Sequence, residues 1–172
     1  LAKLKAEIDT QLGSKPITFA DLTRLPYTEM VLKEVLRLYP PVWSLARTAL
    51  EDFELNGRSV KKGTILFISP YLLHHAKDYF PNAQTFQPER WAPDQPQPPR
   101  YAYIPFGAGP RVCLGNMFAM LEARVILATM LQNVSLELLT QNAEIDLSIT
   151  LRPKGAIQAV VTKNVSNKQK SA

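Results

Sequence analysis

The single cysteine of the chain lies in Phe106-Gly-Ala-Gly-Pro-Arg-Val-Cys-Leu-Gly115, between a proline-rich stretch and an apolar run of helical period. A cysteine just ahead of a helix meets orphan backbone N–H groups and the positive end of the helix dipole. Both favour the thiolate, the form that binds metal. Gly107, Gly109 and Gly115 permit tight turns and close approach of the backbone to a flat ligand. Arg111 can bind a carboxylate on such a ligand through both arms of its guanidinium. The plain alternative is a glycine-containing loop before a helix that holds a cysteine as a small core residue. One cysteine in 172 residues excludes an internal disulfide and a multi-cysteine zinc site.

Glu34-Val-Leu-Arg37 puts two opposite charges at i and i+3, on one face of a helix. A solvated pair of this kind contributes well under ~1 kcal/mol. Here Val31, Leu32, Val35, Leu36 and Leu38 leave little polar face, so the pair is expected to be at least partly buried. A buried pair needs further partners for its remaining donors and acceptors. Arg90, in Pro88-Glu89-Arg90-Trp91, is the expected third member. His74-His75 resembles a metal pair only on paper, since adjacent side chains diverge and no third ligand lies nearby in sequence.

These residues need a scaffold, and hydrophobic periodicity outlines one. Leu1 to Leu12 reads as a helix stopped at Gly13, and Thr18 with Asp21 as a capping box that opens a short helix. Pro26 suits the first turn of a helix over 26–39, ended by Pro40-Pro41. Short strands follow at Ser44 to Ala49, Phe53 to Leu55, Arg58 to Val60 and Thr64 to Ile68, with Asn56-Gly57 as a hairpin turn. A brief helix over Tyr71 to His75 leads to residues 79–105, where seven prolines forbid a regular ladder or helix. Residues 116–132 read as the longest and most buried helix. Val134 to Leu139, Asp146 to Leu151 and Ala156 to Thr162 read as closing strands, giving a mixed helix and antiparallel-sheet class with no internal repeat.

With 46% hydrophobic residues the chain can bury a sizeable core. Its net charge of +5 owes much to Lys163, Lys168 and Lys170 of a polar end expected to be disordered, and no basic run interleaves with aromatics. Nucleic acid is therefore not an expected partner. No apolar stretch reaches the ~18 to 20 residues of a membrane helix, and no leader pattern is present. Leu1 opens inside an amphipathic pattern, so a cut end is expected.

Glu-x-x-Arg on a helix, then Pro-Glu-Arg-Trp, then Phe-x-x-Gly-x-Arg-x-Cys-x-Gly opening a helix together resemble the cytochrome P450 (haem-thiolate monooxygenase) family. Phe106, Gly109, Arg111, Cys113 and Gly115 all match the cysteine motif. The likeness runs to about residue 162 and implies an α+β fold, the truncated C-terminal half of the P450 fold, mostly helical with small antiparallel sheets. Residues 1–162 would form the proximal haem-binding part and 163–172 a polar disordered tail.

By this resemblance Cys113 is the proximal thiolate of the iron in haem b, its electron donation favouring O–O cleavage. Backbone N–H groups just after it would tune the sulfur. Phe106 would pack beside the haem, Gly109 and Gly115 would shape the loop, and Arg111 and Arg47 would pair with propionates. Glu34, Arg37 and Arg90 would form a structural triad that fixes the cysteine loop. Glu122, with Ala119 before it, matches a further family position, although a solvated glutamate explains it equally well. His75 departs from the family's usual His-Arg. Val42, Trp43, Ser44, Leu45 and Ile149 are the implied substrate contacts, suited to an apolar substrate.

The implied partners are an electron-donating redox protein on the proximal face, carrying electrons from NAD(P)H, an apolar small molecule, and the amino-terminal half. The texture is closest to soluble bacterial members, which implies a cytoplasmic location. The oxygen-activating helix of the family is not in this chain, so oxidation of substrate by the chain alone is not expected. Two other readings stay open: a non-catalytic haem-binding remnant, and a scaffold or interaction module without haem.

Overall fold

The computed structural model describes residues 1–140 and 143–164. Helix α1 (Ala2–Gln11) closes as the Leu12 N–H bonds Ile8 O at 2.9 Å, and the chain leaves through Gly13 at φ +57°. A 3-10 turn (Phe19–Arg24) follows, opened where the Asp21 carboxylate accepts the Thr18 N–H at 2.9 Å and its hydroxyl at 2.7 Å. Helix α2 (Pro26–Leu38) starts on a proline, whose missing N–H costs nothing in a first turn. Its next two N–H groups find an acceptor on another helix. Glu7 of α1 takes the Tyr27 N–H at 2.6 Å, the Thr28 N–H at 2.8 Å and the Thr28 hydroxyl at 2.7 Å.

Four two-stranded antiparallel sheets are seen among the described residues. Strands β1 (Leu45–Thr48) and β4 (Ile65–Ile68) pair with Arg47 opposite Leu66, and β2 (Phe53–Leu55) and β3 (Arg58–Val60) form the Asn56-Gly57 hairpin. A short helix α3 (Pro70–His74) precedes the irregular stretch, in which the prolines leave only a 3-10 turn at Pro88–Trp91 before residue 105. Helix α4 (Asn116–Asn133) runs straight into β5 (Val134–Leu138), which pairs with β8 (Ala159–Lys163).

Three expectations need correction. Residues 146–151 are not one strand but a hairpin of β6 (Ile145–Leu147) and β7 (Leu151–Pro153), with Asp146 opposite Arg152. The polar tail starts later than residue 163. Lys163 lies in β8, and the Asn164 side chain bonds the carbonyls of Leu131 and Gln132 at 3.0 and 3.1 Å. Residues 165–172, the rest of the expected tail, lie outside the described residues. Finally, α4 is the longest helix but not a buried one. Only Ala128 and Leu131 are buried, while Met117, Phe118, Ile126 and Met130 are exposed. A helix apolar on every side does not announce which side faces the core.

The core has two parts. Leu4, Ile8 and Leu12 of the first helical segment pack with Leu25, Ala128 and Leu131. Phe80, Ala83, Trp91 and Ala102 form a second cluster against Met30 and Tyr103. Between the second cluster and α2 lies the charged pair. Glu34 and Arg37 are fully buried. The Glu34 carboxylate accepts five N–H groups, from Arg37 Nε and Nη2 (3.0 and 2.9 Å), Gln87 N (2.9 Å), Arg90 Nε (3.1 Å) and Trp91 Nε1 (2.9 Å). Arg37 in turn places its remaining N–H groups on the carbonyls of His74, Ala83 and Thr85 at 2.8, 2.7 and 3.3 Å, with its guanidinium over the Phe80 ring. A guanidinium has five N–H donors, and all five are used.

Burial works against the Glu34 carboxylate, but the Arg37 bonds, the Gln87 N–H, the Arg37 charge and the Trp91 indole outweigh it and hold the group below the usual glutamate range. His74 is fully buried and is depressed to about 4. Burial is the main cause, offset in part by the backbone of Arg37 and Leu36, with the charges of His75 and Arg37 adding to the depression.

Glu34→Gln leaves a buried guanidinium without its counter-charge and is expected to cost roughly 3–5 kcal/mol in urea unfolding. Glu29→Gln removes the partly exposed partner of Lys33 and Arg124 and is expected to cost under about 1 kcal/mol. Acid should act in two stages. His74 binds a proton in the unfolded chain below its ordinary value of 6.5 but not in the fold until about 4, so stability falls as pH drops through that window. The Glu34 contribution is present above the unfolded glutamate pKa and is lost as pH falls further, through its depressed folded value. Stability measured against pH should therefore show a first decline that His74→Gln abolishes.

Candidate functional site

The loop that carries Cys113 is shaped by backbone rather than by side chains. Gly107 and Gly109 sit at φ +75° and +70°, a region that favours glycine. At Gly107 the backbone conformation alone is the restriction, since a Cβ there would meet Leu45 Cδ1 at 3.8 Å and Arg111 O at 3.9 Å, ordinary contact distances. A short bridge joins Pro105 to Gly107, the Gly107 N–H bonds Ile104 O at 3.0 Å, and the Cys113 N–H bonds Phe106 O at 2.9 Å. The loop thus folds back on itself and delivers the cysteine at the start of α4. Gly115 is the N-cap, and a Cβ there would lie 3.8 Å from Cys113 Sγ. Of the N–H groups that follow, Asn116 donates to Cys113 O at 3.4 Å and Met117 to the Asn116 side chain at 2.6 Å.

Cys113 is exposed, flanked by exposed Val112 and fully exposed Leu114. Arg111 closes the 3-10 turn Gly109–Arg111 and is exposed, as is Arg47 on β1. Neither forms an ion pair among the described residues, and Arg47 Nη1 bonds only Ala46 O, at 2.8 Å. Phe106 is half-buried and lines a cleft of about 750 Å³ with Tyr103, Met117, Phe118 and Leu121. Among the described residues no cluster of three or more His, Cys, Asp or Glu can hold a metal ion.

The segment after α2 and the β6–β7 hairpin meet. Trp43 Nε1 donates to Ser148 O at 2.9 Å, and the Leu151 N–H to Pro41 O at 2.8 Å. Trp43 O accepts the Ser69 hydroxyl at 2.9 Å, which fastens the same segment to the start of α3. Leu45 reaches the cysteine loop at Gly107, while Val42 is exposed and Ser44 half-buried. Ile149, on the hairpin turn, is 95% exposed. Glu122 is exposed on α4, with Ala119 half-buried before it.

Glu34, Arg37 and Arg90 come together as the sequence predicts, but their bonds run to residues 74–91 and not to the cysteine loop itself. The link is His74, to which sequence reasoning gave no role. Its Nε2 accepts the Ile104 N–H at 2.8 Å, and its carbonyl accepts Arg37. His75 turns away and stacks on Tyr71. Trp91 and Glu7 are the other residues passed over. Trp91 stood in the Pro-Glu-Arg-Trp motif without a role, and nothing near Glu7 in sequence marks it as a cap for a helix 20 residues on.

The family model described as Cytochrome P450 matches residues 1–160. Cytochrome P450 4V2 of Homo sapiens is 43% identical over 160 residues, covering 90% of this chain and 30% of that protein. Cyclooctat-9-en-7-ol 5-monooxygenase of Streptomyces melanosporofaciens is 43% identical over 128 residues, covering 74% of this chain and 28% of that protein. Equal identity to relatives from these two sources means that the bacterial texture read in the sequence does not discriminate. The solved structure of retinoic acid bound cyanobacterial CYP120A1 superposes with a TM-score of 0.88 at 32% identity, over 95% of this chain and 38% of that one. The chain spans about three tenths of the length of the curated relatives it matches. Among the described residues no helix is long and apolar enough to cross a membrane. Matched along nearly all its length by sequence and fold alike, the chain belongs to the cytochrome P450 family.

Proposed function

We propose that this chain is the haem-thiolate part of a P450 monooxygenase, with Cys113 as the axial iron ligand. The observation that carries the reading is the exposed sulfur at the mouth of α4, presented by a loop with two left-handed glycines. A cysteine sulfur outside any cluster of three or more ligand-type side chains among the described residues suits a metal whose remaining positions belong to a macrocycle. Two exposed arginines without carboxylate partners, Arg47 and Arg111, suit the propionates of haem b. Bound haem would supply the oxygen and one-electron chemistry of the family.

The protein's part is to hold and orient. Gly107 and Gly109 let the loop backbone turn close to a flat group, Gly115 places no side chain beside the sulfur, and Phe106 lines the cleft that the loop shares with α4. Val42, Trp43, Ser44, Leu45 and Ile149 supply apolar and small surfaces for an organic substrate. A relative named for cyclooctat-9-en-7-ol and a solved relative holding retinoic acid support that substrate class. Electrons from NAD(P)H would arrive through a redox protein on the cysteine side. Exposed Phe67, Ile126 and Met130, in a chain three tenths as long as its relatives, support further polypeptide as a partner in turnover.

Reconstitution with haem, reduction and carbon monoxide should give the strongly red-shifted Soret band of a thiolate complex, and Cys113→Ser should abolish it. No haem uptake by the native chain would instead favour a scaffold role. NAD(P)H-driven turnover by the chain alone with a redox partner is expected to be absent, and measurable product would overturn that part of the reading. Trp43→Phe loses one hydrogen bond to the β6–β7 turn. It should change substrate affinity by about 5-fold in optical titrations, the equivalent of ~1 kcal/mol, while leaving the carbon monoxide band unchanged.

A further inference from the structure

We infer that His74 is a positioning residue for the thiolate, the joint through which the buried Glu34–Arg37 network sets the place of the cysteine loop. The inference rests on the haem-thiolate reading of Cys113. His74 is fully buried at the end of α3, its ring 5.1 Å from that of Tyr103 and edge-on to that of Phe80 at 6.4 Å. It is held at both ends. Its carbonyl accepts Arg37 Nη1 at 2.8 Å, and its Nε2 accepts the Ile104 N–H at 2.8 Å.

From Ile104 a relay of backbone bonds leads to the sulfur-bearing residue. Ile104 O accepts the Gly107 N–H at 3.0 Å, and Phe106 O accepts the Cys113 N–H at 2.9 Å. Because the Ile104 N–H can only donate, Nε2 must be the bare nitrogen and the ring proton must sit on Nδ1, which has no hydrogen-bond partner. With Nδ1 carrying the proton, Nε2 is free to satisfy the N–H of Ile104, which would otherwise be buried without a partner. Protonation would set an N–H of the ring against the N–H of Ile104, so a loop in place requires a neutral His74. The charged and titratable groups around the ring are Arg37 on α2, His75 on its own helix and Tyr103 ahead of the loop. Glu34, the carboxylate paired with Arg37 behind them, is committed to five N–H groups and makes no bond to the ring.

The test compares His74→Phe, which fills the space without an acceptor, with His74→Gln, whose side-chain oxygen can reach toward Ile104. In the haem-free protein, hydrogen exchange of the peptide spanning residues 103–107 should quicken about tenfold in the phenylalanine variant, as expected for one lost buried hydrogen bond, and be restored by glutamine. The peptide spanning 81–91 serves as the control and should not change. In the haem-loaded protein the same variant should shift the carbon monoxide complex from the thiolate band toward the unshifted band of a protonated or displaced sulfur, again with rescue by glutamine. Unchanged exchange at 103–107, equal quickening at 81–91, or no rescue by glutamine would overturn the inference. Failure of the native protein to give the thiolate band would sink the haem-thiolate reading instead, and the exchange comparison would still report whether His74 holds the loop.

Discussion

A guanidinium and a carboxylate taken out of water together must find partners for every donor and lone pair, or their burial is a net loss. That requirement organises this chain. Arg37 uses all five of its N–H groups and Glu34 accepts five, and almost all the partners outside the pair come from residues 74–91, where prolines rule out regular hydrogen bonding. The two problems solve each other. An irregular segment has spare carbonyls at 74, 83 and 85 and a spare N–H at 87, and a buried ion pair needs such groups arranged at fixed points in space. Trp91 and Phe80, apolar bodies beside the charges, close the pocket against water.

This explains why the pair stands on a helix and its partners on a loop. The i and i+3 spacing fixes Glu34 relative to Arg37 within one helix, so the pair presents its donors and lone pairs to the loop as a unit. The same logic extends toward the cysteine. His74 takes its position from Arg37 and passes it to Ile104, so a proline-rich connection of some thirty residues is pinned near both ends.

Much of this was legible in sequence, for reasons that differ by element. The stop of α1 at Gly13, the proline start of α2 and the Thr18–Asp21 capping box between them were written in residue types, the Asn56-Gly57 hairpin carried its turn, and the glycines around Cys113 marked a backbone shaped for close approach. Burial of Glu34 and Arg37 could be read because apolar neighbours left them no polar face. Features that depend on long-range bonds to backbone were not legible. His74 bonding Ile104, and Glu7 capping α2, use ordinary residues at unremarkable spacings. The break at Ser148 to Thr150 was missed because a turn built of serine, isoleucine and threonine lacks glycine, proline or asparagine. The orientation of α4 was missed because its apolar residues occur on all sides, and Met117, Phe118, Ile126 and Met130 among them are exposed in this chain.

The bond from the Trp43 indole to Ser148 O joins residues 105 positions apart, and the Leu151 N–H on Pro41 O repeats the union nearby. Two segments tied in this way cannot drift independently as the protein diverges. A substitution at 41–43 changes what is tolerated at 148–151, and effects on stability combine across the pair in a way that single changes do not foretell. The tie between the two segments, and neither segment alone, is then the unit on which variation acts.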